Sequence, residues 1–95
     1  MRRSAACHQF VVDLDPIPDG LIRLLGPFAA QQARMVSARH DLTPSGARAV
    51  LRVAGLERGM AELLDLRLKQ LPFVRDVQLR TPPTSPGPRA ALVRL

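Results

Sequence analysis

Tryptophan and tyrosine are absent from this 95-residue chain, and phenylalanine occurs only three times. An interior must therefore be filled by aliphatic side chains. Nucleic-acid recognition by stacking bases on sheet aromatics is excluded. A lone cysteine, Cys7, rules out an internal disulfide and any Cys-x-x-Cys metal or redox motif, as suits a reducing compartment. Long hydrophobic runs are missing as well, and nothing approaches the ~20 apolar residues of a membrane helix. Met1-Arg2-Arg3 has the basic character of a signal-peptide start, yet Ser4 to Gln9 holds no apolar run and the next apolar stretch is too short for an h-region. The expectation is a cytoplasmic protein. Lysine is nearly missing too: of the 14 basic residues only Lys69 is not arginine.

What is present supports one small folded domain. Hydrophobic residues make up 46% of the chain, enough for a packed core. A domain of this length buries only about 60–65% of its unfolded surface, so pairing with another subunit would add appreciably to stability. The formal net charge is +6, which raises affinity for acidic partners through long-range attraction, although the arginines are scattered along the chain.

Apolar periodicity yields the element order. Phe10, Val12 and Leu14 alternate in a first strand over residues 8–15, ended by Asp15-Pro16-Ile17-Pro18-Asp19-Gly20. Leu21, Leu24, Leu25 and Phe28 recur at helical spacing, with Asp19 as the expected N-cap and Gly26-Pro27 as the expected kink or restart. A weakly alternating second strand is read over 34–41, a turn at 42–46, and a clear third strand over 47–54. A second helix follows, with Met60, Leu63, Leu64, Leu68 and Leu71 on its apolar face, Glu57 in its first turn and Lys69 in its last. Residues 73–80 form the last strand.

Strand, helix, strand, strand, helix, strand is the split βαβ pattern. It predicts an α+β, ferredoxin-like fold with two helices on one face of a four-stranded antiparallel sheet. The domain spans 8–80, between a 1–7 N-terminal extension and an 81–95 proline-rich tail. That tail reads as an extended linker whose last residues, 89–95, are loosely held or form a short edge strand.

No catalytic constellation emerges. Ser4, Ser37, Ser45 and Ser85 lack a nucleophile context, and no phosphate-cradling glycine loop occurs. Cys7, His8 and His40 have no metal-ligand spacing, so neither metal nor cofactor is expected. Asp13, Asp15 and Asp19 read as a solvated strand end and an N-cap. On the open sheet face, Val11 and Val50 mix with Arg48, Arg52, Arg80, Asp13, Asp76 and Gln78, a half-apolar, charged surface suited to protein association. Arg48 and Arg52 make it a candidate interface for an acidic protein or for nucleic acid.

The segment Pro18-Asp19-Gly20-Leu21-Ile22-Arg23-Leu24-Leu25-Gly26-Pro27-Phe28 resembles the strand-loop-helix of ACT domains, in particular those of regulatory small subunits of acetolactate synthase. Pro18, Leu21 or Ile22, Arg23, Gly26 and Phe28 fall on the family's landmarks, and the resemblance extends over roughly residues 8–80. It implies a non-catalytic regulatory domain that forms a homodimer through an edge strand or the sheet face. It also implies a partner, the acetolactate synthase catalytic subunit of branched-chain amino acid biosynthesis, and an amino-acid effector. The effector would lie on the amides of Gly20, Leu21 and Ile22 at a helix N-terminus, with Asp15 facing its ammonium. Asp19 departs from the pattern, standing where glycine would admit a ligand closely and repelling a carboxylate. Pro16 replaces a customary polar residue. A free-standing binding module that meets an acidic protein or nucleic acid through its arginines is the alternative reading.

Overall fold

The computed structural model describes residues 7–81; the tail and most of the N-terminal extension expected from the sequence lie outside the described residues. The elements are β1 (His8–Leu14), α1 (Gly20–Ala30), β2 (Arg34–Thr43), β3 (Gly46–Ala54), α2 (Arg58–Lys69) and β4 (Val74–Arg80). All strand pairs are antiparallel, in the order β2-β3-β1-β4. The βαββαβ reading therefore holds, with β1 and β3 central.

Alternation sorts each central strand into two faces. Phe10, Val12 and Leu14 of β1 and Ala47, Ala49, Leu51 and Val53 of β3 are buried under the helices. Leu24 and Phe28 of α1 and Ala61, Leu64 and Leu68 of α2 close over them. Phe10 meets Phe28 edge to face at 5.0 Å between ring centroids, and each such fully buried side chain contributes about 1.5–3 kcal/mol.

Four local expectations are corrected. Helix α1 continues through Pro27, so the restart allowed at Gly26-Pro27 does not occur. The proline removes one backbone donor late in the helix, while Leu24 and Phe28 hold both sides of it in the core. In α2 the buried stripe is Ala61, Leu64 and Leu68, leaving Met60 and Leu63 more than a third exposed; small Ala61 lets the helix sit close to the sheet, which turns its neighbours outward. Glu57 precedes α2 in an extended conformation instead of lying in its first turn. Asp19 precedes α1 without any side-chain bond to the first-turn amides.

Strand β2 is longer than its weak alternation suggested, reaching Thr43, so the hairpin turn shrinks to Pro44-Ser45. Two register shifts disturb the ladders: one at Val36 on β2, another at Arg75 on β4. The second re-aims Arg75 toward the β1–α1 loop, as an extra residue in a strand does.

Candidate functional site

Two places satisfy the sequence criteria, the β1–α1 loop and the open sheet face. The loop is closed on itself: the Ile17 amide donates to the Asp15 carbonyl at 2.8 Å and the Gly20 amide to the Ile17 carbonyl at 3.1 Å. Gly20 is buried, and a Cβ there would meet Leu14 and Ile17 at 3.0 and 3.3 Å. Its amide therefore faces the loop interior.

Both loop carboxylates are paired with arginine. Arg75 Nε donates to Asp15 at 2.9 Å and its Nη1 to the Ser45 carbonyl at 2.6 Å, tying the loop to the β2–β3 turn. Arg23 Nε donates to Asp19 at 2.7 Å, and this bond holds the Asp19 carboxyl below its ordinary value. An ammonium at Asp15 must therefore compete with Arg75. Leu21 packs partly against the core while Ile22 is 73% exposed. As residues of the first helical turn, both carry amides outside the intrahelical ladder, and the Asp19 side chain does not cap them.

The open face carries all four candidate interface residues, Val11, Val50, Arg48 and Arg52, ordered into cross-strand rows. Arg39, Val50, Val11 and Gln78 form the middle row from β2 to β4. At one end lie Asp41, Arg48, Asp13 and Asp76, where Arg48 Nε donates to Asp13 at 2.8 Å. This contact raises the Arg48 pKa. At the other end lie Ser37, Arg52, Gln9 and Arg80, a row with two arginines and no acid. The face is thus polarised along the strands.

Beside that basic row, Cys7, Gln9, Arg52, Arg80 and Thr81 line a cavity of about 310 Å³. Neither the cavity nor the buried histidine behind it was found from the sequence. His8 is 1% exposed. Its Nε2 donates to the Leu56 carbonyl at 2.8 Å, and Nδ1 lies 3.1 Å from the Thr81 hydroxyl. A carbonyl only accepts, so the proton sits on Nε2, and in the neutral ring the Thr81 hydroxyl donates to Nδ1. The available signal was parity: His8 shares the inward phase of Phe10 and Val12. His40, by contrast, is exposed within β2.

Four antiparallel strands with both helices over one face place the chain in the ferredoxin-like class of α+β domains. Among solved structures it is similar to the C-terminal domain of the MgtC protein from Mycobacterium tuberculosis. The TM-score is 0.66 over 86% of this chain and 93% of that one, at 14% sequence identity. Likeness at that identity establishes the fold alone. No protein-family model matches the sequence, and no curated protein matches it. Among the described residues, no helix is long and apolar enough to cross a membrane.

Proposed function

We propose that this chain is a non-catalytic regulatory domain of the ACT type, pairing with a second copy along β2. Following the sequence resemblance, it acts in the cytoplasm on the catalytic subunit of acetolactate synthase. The observation that carries the pairing is the state of β2. This strand has ten residues and, among the described residues, is hydrogen-bonded on one side only, to β3. Val36 to Leu42 are all exposed, Leu42 at 76% and Val36 at 50%. A long edge strand with apolar side chains is a template for another strand, and natural domains cover or blunt such edges. A small core gains from that cover.

An amino-acid effector on the amides of Leu21 and Ile22 is the second part of the reading. Its carboxylate would take the first-turn donors that Asp19 leaves unused, since Asp19 is turned to Arg23.

Sedimentation of the full chain tests the pairing. A dimer that becomes monomer when Val36 and Leu42 are both replaced by lysine, with circular dichroism unchanged, supports it; a wild-type monomer up to submillimolar concentration refutes it. For the regulatory role, the purified chain is added to acetolactate synthase catalytic subunit from the same cell. Unchanged activity with and without valine, leucine or isoleucine counts against that role.

A further inference from the structure

Five arginines of the described residues meet acids: Arg23 with Asp19, Arg39 with Asp41, Arg48 with Asp13, Arg58 with Glu62 and Arg75 with Asp15. Among the described residues Arg34, Arg52, Arg67 and Arg80 have no acidic partner, and of these only Arg52 and Arg80 share one cross-strand row. Arg52 and Arg80 flank the neutral amide of Gln9 in the sheet. Among the described residues their contacts are to neutral atoms: Arg52 Nη2 to Cys7 Sγ at 4.0 Å and Arg80 Nη2 to Gln78 Oε1 at 3.3 Å. Two guanidiniums thus share a row without a counter-charge.

The sequence sharpens this asymmetry. All eight acidic side chains lie between Asp13 and Asp76. The segments that leave the domain at Cys7 and Thr81, both on the cavity wall, carry Arg2, Arg3, Arg89 and Arg94 and no acidic side chain. No acidic side chain of those segments can therefore neutralise the row.

We infer that the cavity lined by Cys7, Gln9, Arg52, Arg80 and Thr81 binds a small phosphate-bearing ligand. A phosphate group carries nearly two negative charges at neutral pH, matching two guanidiniums as a single carboxylate does not. Arginine forks present paired N–H donors to such oxygens, and the Gln9 amide supplies a neutral donor beside them, while the Thr81 hydroxyl is committed to His8 Nδ1. The cavity, about 310 Å³, stands at the lower end of the size range for small-molecule sites. It lies on the face opposite the helices and uses none of the β1–α1 loop residues, so the inference is independent of the ACT-type reading.

Cys7 is the only thiol in the chain and lines the cavity, which makes it a single-site reporter. The test measures the alkylation rate of Cys7 by iodoacetamide in the full chain, with inorganic phosphate, pyrophosphate, succinate or chloride at matched ionic strength. Saturable protection by phosphate and more strongly by pyrophosphate is expected, with none from chloride. Arg52→Gln and Arg80→Gln should each weaken it roughly tenfold, as loss of one charge-assisted contact does, while Arg58→Gln on α2 leaves it unchanged. Both cavity arginines are exposed, so neither variant threatens the fold.

Absence of protection at millimolar pyrophosphate overturns the site, and so does equal loss in Arg58→Gln, which would indicate diffuse attraction. Protection by succinate equal to that by phosphate overturns the ligand class. A single-stranded oligonucleotide that protects far below the pyrophosphate concentration would replace the small ligand with nucleic acid.

Discussion

His8 shows how one side chain can join three parts of a small domain. It stands on β1, bonds the Leu56 carbonyl ahead of α2, and meets Thr81 beyond β4. Replacing it by alanine leaves a buried carbonyl unpaired and a cavity behind it. A loss of about 2–4 kcal/mol is expected in chemical denaturation, against about 1 kcal/mol for Thr81→Val. Gly46 is a second such residue. It has φ of +152°, and an added Cβ would sit 2.8 Å from the Leu14 carbonyl oxygen. Gly46→Ala should cost about 1–3 kcal/mol, whereas Gly59→Ala on open helix surface should gain about 0.5–1 kcal/mol. The Asp19–Arg23 pair predicts a pH dependence. The folded-state carboxyl of Asp19 lies below its ordinary value, so the pair contributes above the unfolded value and is lost as pH falls through the folded one. Wild type and Asp19→Asn should differ at neutral pH and converge below about pH 4; a difference that grows on acidification would refute this.

At the scale of elements, Pro27 is the clearest anomaly. It lies inside α1 with three residues still to follow, where its missing amide and ring should cost up to about 3 kcal/mol. Pro27→Ala should therefore raise the melting temperature. A fall would mean that its half-buried ring is needed in the core. The same helix shows why no restart occurs at Pro27: burial of Leu24 and Phe28 outweighs a single local defect. In α2, spacing alone allowed several apolar stripes. Contact with the sheet selected the one centred on Ala61, Leu64 and Leu68.

At the scale of the fold, the helices leave one sheet face and most of edge strand β2 uncovered among the described residues. Pairing along β2 predicts a melting temperature that rises with protein concentration, because dissociation is then linked to unfolding. The Val36→Lys, Leu42→Lys variant should lose that dependence. The open face has a different character. Its acidic and basic ends arise because β2, β3, β1 and β4 align charges that lie up to 63 residues apart in the chain, such as Asp13 and Asp76. Association through this face is therefore salt-sensitive where its charged rows meet a partner.

Element order, the central strands and the two-layer fold were legible in the sequence, because strict alternation in β1 and β3 and helical spacing in α1 and α2 answer to local geometry. Arg48 and Arg52, and likewise Val11 and Val50, could be assigned to one face by parity alone. The tertiary structure decided the rest. It committed Asp15 to Arg75 through a bulge, turned Asp19 from the helix amides to Arg23, and buried His8. It also gathered Cys7, Gln9, Arg52, Arg80 and Thr81 around one cavity. The Asp19–Arg23 pair is a local i,i+4 contact, and the burial of His8 follows the inward phase of β1. The Asp15–Arg75 pair and the cavity depend on register between strands distant in the chain, and register is set by the packing of the whole sheet, which no local pattern encodes.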